Sequence, residues 1–270
     1  MGADTKQLRT RIKSVDSTLH LTKAMGLVAS SKIRKALESM RNGKEYAQAL
    51  EEIIATLSSY DECKKTVYMT EREGSKTKLV VVAGDRGLAG GYNANIFRLI
   101  KELPEDAEII PIGKRACDRF YKDAEPVLAE NYPYQEAIAL ANRLCRDFKE
   151  GQCDRVGIVC TRYLSMMSQE AYVKWILPIS VTGERKVGGV IFEPDELSVL
   201  SAIIPEYVAG VIMACVKESF ASEVAARRVA MDSAGKNAQE MINKLELEYN
   251  RARQGAITQE ITEIVAGSGI

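Results

Sequence analysis

Two heptad seams, one at each end of the chain, limit what this sequence can fold into more than any other feature. Leu8, Ile12, Val15, Leu19, Thr22, Gly26, Ala29, Ile33, Ala36 and Met40 follow one another in alternating steps of four and three. The register carries on through Gly43, Ala47, Leu50, Ile54 and Leu57. A seven-residue repeat kept for this long imposes a left-handed supercoil and needs a second helix to cover it. Asp4 followed by Gln7 is a helix-start pattern, an N-cap with its capping-box partner.

The second helix is expected at the other terminus. No proline follows Pro205, and the stretch is rich in the helix formers Ala, Glu, Arg, Gln and Leu. Pro205 itself suits a first helical turn, where its missing N–H is not needed. A single helix from Pro205 to Ile264 would be roughly 90 Å long at 1.5 Å per residue. Along it Met231, Ala234, Ala238, Met241, Leu245, Tyr249, Ala252 and Ala256 step by threes and fours. The two seams pair most simply as an antiparallel coiled coil, with the middle of the chain bulging out between them. The other arrangement, two separate amphipathic helices on a globular domain, would leave helices of this length overhanging it.

Lys plus Arg and Asp plus Glu balance at 37 each, so no net field points to nucleic acid. The balance is uneven before residue 45. There Lys6, Arg9, Arg11, Lys13, Lys23, Lys32, Arg34, Lys35, Arg41 and Lys44 outnumber Asp4, Asp16 and Glu38. Such a helix lies on an acidic surface or a membrane, or simply presents a solvated face. The polar start, Met1 to Lys13, has no apolar signal region, and Lys6 stands where myristoylation needs Ser or Thr. No run reads as the roughly 20 apolar residues of a membrane span. A soluble protein, or one peripheral to a membrane, is expected. Six cysteines without a C-x-x-C pair and a single histidine, His20, exclude a zinc site and point to reduced thiols.

The expected boundaries are 1–60 for the first helix, 61–75 for a polar linker, 76–203 for an α/β domain and 204–270 for the last helix. Within the domain, Leu79–Ala83, Ile109–Ile112, Val156–Cys160 and Ala171–Ile176 read as strands. Ala94–Leu103, Lys114–Tyr121 and Gln135–Phe148 read as helices between them. This alternation predicts a mostly parallel, Rossmann-like sheet covered on both faces.

The glycine-rich turn from Gly84 to Gly91 lies between a strand and a helix, the place where phosphate sites are built. Its glycines, at 84, 87, 90 and 91, fit neither G-x-G-x-x-G nor G-x-x-x-x-G-K-[ST], and no lysine follows. A structural turn is therefore expected, with no cofactor. With His20 on the coiled coil there is no triad to assemble.

Three stretches carry a resemblance. Ile12-Lys13-Ser14-Val15, Thr18, Leu21-Thr22-Lys23-Ala24-Met25 and Val28-Ala29-Ser30-Ser31-Lys32 form the first. The turn Asp85-Arg86-Gly87-Leu88-Ala89-Gly90-Gly91-Tyr92-Asn93 is the second. The third takes in Ala221-Ser222-Glu223, Ala225-Ala226-Arg227, Val229-Ala230-Met231, then Tyr249 to Gln254 and Ile257 to Gly267. Together they resemble the gamma subunit of F-type ATP synthases over both termini. The departures are the Gly267-Ser268-Gly269-Ile270 end, where alanines are usual, and Gly26, where a longer residue is common. The dithiol insert of chloroplast members is absent, with Cys153 and Cys160 flanking a core strand instead, which puts thiol regulation in doubt. With no transit peptide, a bacterial origin fits.

The resemblance implies a rotor shaft without an active site of its own. Its terminal helices would turn inside a ring of three alpha and three beta subunits, and its α/β domain would sit with the epsilon subunit on the membrane c-ring. The location implied is peripheral, on the cytoplasmic face of a bacterial plasma membrane, reached only through the complex. Ring contacts implied are Lys23, Met25, Arg251, Arg253, Gln254, Thr258, Glu260, Ile264 and Val265. Ala24 to Ala29, apolar or small on nearly every side, agrees with a helix covered all round. The alternatives are a Rossmann-like nucleotide-dependent enzyme that dimerises through its terminal helices, and a cytosolic coiled-coil scaffold.

Overall fold

The chain opens with a helix, α1 (Gly2–Ser58), that no proline interrupts. The computed structural model describes residues 2–121, 125–180 and 192–267. After α1 come α2 (Asp61–Lys64), a 3₁₀ turn (Val67–Met69), β1 (Thr77–Val82), α3 (Tyr92–Ile100) and β2 (Glu108–Ile112). Then follow α4 (Lys114–Phe120), α5 (Tyr134–Lys149), β3 (Arg155–Tyr163), β4 (Gln169–Leu177) and α6 (Glu196–Gly267). Two long terminal helices and an α/β domain on a small mixed sheet are thus the architecture. Contacts divide the chain into two units, Met1–Ser30 with Arg227–Ile270, and Ser31–Ala226.

The first unit is an antiparallel pair of helix segments. Leu19, Thr22, Gly26 and Ala29 of α1 are buried, as are Met231, Ala238, Ile242 and Leu245 of α6. Leu19, Ala238 and Ile242 form one cluster with Ile12 and Val15. Nearer Ser30, a Cβ added at Gly26 would stand 3.7 Å from Met231 Cβ and 2.9 Å from a guanidinium nitrogen of Arg228. At Gly235 it would stand 3.5 Å from Thr22 Oγ1. Small residues here let the backbones approach closely.

Two seam positions differ from the sequence reading. Met241 is 44% exposed and Ile242 only 6%. The true α6 seam runs Met231, Gly235, Ala238, Ile242, Leu245, Tyr249, an unbroken alternation of four and three. The reading took Ala234 and Met241, one residue early at each, because adjacent apolar residues give periodicity nothing to choose between. Asp4 is likewise inside α1, which already includes Gly2, rather than preceding it.

The second unit is built on the sheet, in the order β2-β1-β3-β4. β1 pairs in parallel with β2 and β3, and β4 closes the edge antiparallel to β3. Every residue of β1 is buried, as a strand covered on both faces must be. Its alternate residues separate the two faces. Val80 and Val82 join α5, the end of α1 and the start of α6, while Leu79 and Val81 join α3 and Ala116 of α4. Lys78 reaches from β1 to Glu108 of β2 and Asp147 of α5, both at 2.9 Å.

α6 begins at Glu196, not near Pro205, which lies inside the helix. The start is set by Asp195, whose carboxylate accepts the Ser198 N–H and Ser198 hydroxyl, both at 2.8 Å. Ser198 is the third helical residue, so Asp195 is the N-cap. The carboxyl is held below its ordinary range, first by the Ser198 amide and then by its hydroxyl. Against the reading that no run is apolar enough to span a membrane, an 18-residue window of α6 reaches a mean hydropathy of 2.0. Most of that window, 61%, is buried within the protein. Leu200, Ile204, Val208, Ala209, Val211, Ile212 and Val216 are all in the core beneath the sheet. The stretch expected as a linker is also tied down: Tyr68 accepts the Ile179 amide at 2.7 Å, and Arg72 lies over the Phe148 ring.

The seam register gives a direct test. Ile242→Ala should lower the stability of the helix pair by about 2 kcal/mol, whereas Met241→Ala should change it by less than about 0.5 kcal/mol. Thermal unfolding followed by circular dichroism distinguishes them, and equal effects would restore the earlier register.

Candidate functional site

Two places could carry function, and the first is the turn after β1. Asp85 organises it. Its Oδ1 accepts the amides of Lys114 at 3.1 Å and Ala129 at 2.9 Å, and its Oδ2 accepts that of Glu130 at 2.8 Å. Gly84 donates its N–H to Asn93 Oδ1 at 2.9 Å and accepts the Arg115 amide at 3.0 Å. The chain then turns through Leu88 and Gly90, both with positive φ of about 60°. An anion would seek backbone amides at such a place. The carboxylate of Asp85 instead takes amides from outside the turn, that of Lys114 at the start of α4 and those of Ala129 and Glu130.

In open α/β sheets, ligands bind beyond the carboxyl ends of the parallel strands. In this chain α6 lies there. A Cβ on Gly84 would come within 2.8 Å of the Glu223 carboxyl carbon. Ser219, Ser222 and Glu223 are buried beside it, and Tyr92 of α3 donates to the Ser219 carbonyl at 2.9 Å. Burial pushes the Tyr92 hydroxyl well above its ordinary pKa, so it remains a donor. The crevice of the fold is filled by a helix.

Among the described residues no group of three or more His, Cys, Asp and Glu could hold a metal. His20 stands on the surface of α1, 3.7 Å from Asp16 one turn away. All six cysteines are free and buried. Burial pushes the Cys145 thiol up to about 12, with Cys153 nearby adding to it, and burial raises Cys153 to about 11. Protonated at neutral pH, these thiols are poor nucleophiles.

The second place is the outer surface of the helix pair. Lys23, Arg251, Arg253, Gln254, Thr258, Glu260, Ile264 and Val265 are exposed, and Met25 is half-buried. Thr258 turns its hydroxyl back to the Gln254 carbonyl at 2.9 Å. The structure adds residues that the sequence reading did not single out as contacts. Leu27 is 69% exposed, Leu21 58%, Ile261 57% and Ile257 47%. Leu21, Met25 and Val28 form a second stripe on α1, and Ile257, Ile261 and Ile264 one on α6, each stepping by four and three off the seam. The signal was present: apolar residues at helical spacing that the heptad register leaves uncovered.

A sequence profile of the family described as ATP synthase matches residues 4–269. The ATP synthase gamma chain of Ruminococcus albus is 42% identical over 98% of each chain. That of Moorella thermoacetica is 39% identical, again over 98% of each. This chain belongs to the ATP synthase gamma-chain family. The fold is also that of a chain from Euglena gracilis mitochondrial ATP synthase (OSCP, F1 and c-ring). The TM-score is 0.70 at 18% identity, covering all of this chain and 97% of the other.

For a gamma chain the two places take on different weights. The turn and the filled crevice hold the α/β domain together, and the outer stripes are what remains to be covered. Asp85→Ala should therefore destabilise the domain by on the order of 3 kcal/mol, because three amides lose a charged acceptor. Asp85→Asn, which keeps one acceptor oxygen, should fall between it and the parent. Urea unfolding followed by the fluorescence of Trp175, the single tryptophan, measures both. An Asp85→Ala chain as stable as the parent would remove the carboxylate's organising role.

Proposed function

We infer that this gamma-family chain is the central rotor stalk of an F-type ATP synthase, coupling ion flow through a membrane sector to ATP synthesis or hydrolysis in a surrounding ring. The observation that carries the reading is the second apolar stripe. The helix pair already fills its seam with Leu19, Ala238, Ile242 and their neighbours, yet Leu21, Leu27, Ile257, Ile261 and Ile264 remain on its outer surface. Large apolar side chains left exposed at helical spacing in two stretches mark surface to be covered, and a sleeve of other subunits would cover it.

In this reading three alpha and three beta subunits surround the helix pair, and the α/β domain meets the epsilon subunit and the c-ring. The chain reaches the membrane only through that complex, on the cytoplasmic face of a bacterial plasma membrane. It has no active site of its own, and catalysis belongs to the ring. The rotor acts as an effector whose angle is the ligand. Moving a ring subunit from 1:99 to 99:1 between two states requires about 5.5 kcal/mol of differential contact. Charged hydrogen bonds contribute about 1.5–3 kcal/mol each, so two to four made at one angle and lost at another suffice. Lys23, Arg251, Arg253, Gln254, Thr258 and Glu260 are placed to supply them, with Met25, Ile264 and Val265 as apolar contacts. Arg253 offers a rigid five-donor fork for a carboxylate, and Gln254 both donates and accepts.

The alternative, a nucleotide-dependent enzyme, is opposed by α6 in the crevice, where Glu223 lies against Gly84. Calorimetry of the chain with ATP and with NAD should give no saturable binding. Micromolar binding abolished by changing Gly87 would favour the enzyme instead.

The stalk reading predicts what Arg253→Ala with Gln254→Ala does. Both side chains are exposed, so the isolated chain should change in stability by no more than about 0.5 kcal/mol. The assembled complex should form normally but turn over ATP more slowly and pump fewer ions. Wild-type turnover and pumping in the assembled double variant would remove these two residues from the grip on the ring.

A further inference from the structure

β3 runs four residues beyond its pairing with β1. The β1–β3 pairing ends at Val81 and Val159, while β3 continues to Tyr163. Beyond Val159 the amides that point towards β1 belong to Thr161 and Tyr163, and β1 has already turned away through Gly84. Buried amides must find acceptors. α6 supplies them: the Thr161 N–H donates to Ser219 Oγ at 3.0 Å and the Tyr163 N–H to Glu218 Oε1 at 2.9 Å. Ser222 returns its hydroxyl to the Thr161 carbonyl at 3.4 Å. Glu218 also accepts Lys44 Nζ of α1 at 2.7 Å, and Tyr92 holds the Ser219 carbonyl from the other side. Side chains of a helix thus stand in for the missing strand.

This changes what the helix can do mechanically. Just before it, from Leu200 to Val216, α6 meets the domain mainly through apolar side chains, with one hydrogen bond at the exposed edge, from the Tyr134 hydroxyl to the Glu206 carboxylate. Such burial is non-directional, so it opposes lifting the helix off the sheet much more than turning it about its own axis. Hydrogen bonds to fixed strand amides are directional. Ser219 and Ser222 share one helix face and Glu218 borders it, so together they fix both the rotation and the axial register of α6 against β3.

We propose that Glu218, Ser219 and Ser222 form a clamp that makes turning of the α/β domain turn α6 with it. They are positioning residues for rotary coupling, and the proposal rests on the central-stalk reading. With the clamp intact, rotation imposed on the sheet is carried into the helix by strand amides. Without it, the apolar contacts let the helix lag.

The test uses the whole complex, reassembled with variant chains and placed in vesicles, reading ATP hydrolysis and ions pumped per ATP. Ser219→Ala should keep hydrolysis and lower the ions pumped per ATP severalfold. Phe148→Leu, in α5 against Tyr68 and away from the clamp, should destabilise the chain yet keep the wild-type ratio. Where Ser219→Ala yields no complex, Glu218→Gln decides. It keeps an acceptor for the Tyr163 amide but loses the charge facing Lys44, and should lower the ratio less. A wild-type ratio in the clamp variants, or an equal fall in Phe148→Leu, overturns the clamp. If the parent chain itself fails to assemble with the ring and membrane sector, the stalk reading fails instead.

Discussion

The seam of small residues is the constraint to which the rest of the structure is fitted. Gly26, Ala29, Ala36, Gly43 and Ala47 lie along one line of α1 and are all buried. In the α/β unit a Cβ on Gly43 would meet Lys217 Cδ at 2.9 Å, and one on Gly210 would meet Leu50 Cδ1 at 2.7 Å. Backbones brought this close gain dispersion contacts but bury little apolar area per residue, and the glycines weaken each helix by about 1 kcal/mol relative to alanine. A pair built this way is thin. It must draw further stability from what else it touches, and the two units do so differently.

In the α/β unit the extra surface is the sheet. α6 is apolar on most sides between Leu200 and Val216 because it lies in a core with β1, β3 and α5. Beyond that it turns polar while still buried, at Glu218, Ser219, Ser222 and Glu223, because the strand it replaces would have offered hydrogen bonds. In the helix pair no sheet is available. The second stripes of Leu21 and Leu27, Ile257, Ile261 and Ile264 are left on the surface, which is what a shaft inside other subunits would carry.

Much of this was legible in the chain. The α1 register was readable position by position, because its alternation of four and three runs without a slip from Leu8 to Leu57 and carries the reading across the apolar stretch Ala24 to Ala29. On α6 the same reasoning slipped at Met241, since Ile242 beside it is equally apolar and only packing chooses. Pro205 looked like a helix start, but Asp195 and Ser198 had already closed the cap, and a proline inside a helix held by a core is tolerated. The strands emerged from β-branched runs, whereas the 61–75 stretch hid its anchors, Cys63, Tyr68 and Arg72, among polar residues. Of the candidate contacts, the charged and polar ones were found by resemblance, together with Met25, Ile264 and Val265. Leu21, Ile257 and Ile261 followed from the register itself and were not drawn from it.

The buried polar residues of α6 could not be understood from sequence at all. Ala221-Ser222-Glu223 stood out in the resemblance, but nothing in a linear pattern says that the β1–β3 pairing stops four residues before the end of β3. That mismatch in strand length is a property of the folded sheet. It exposes two amides, and the helix that answers them also fills the crevice where this topology would otherwise admit a ligand. A fold suited to binding nucleotides has used its binding position to hold a helix, so the same hydrogen bonds that close the site also fix this part of α6 to the sheet.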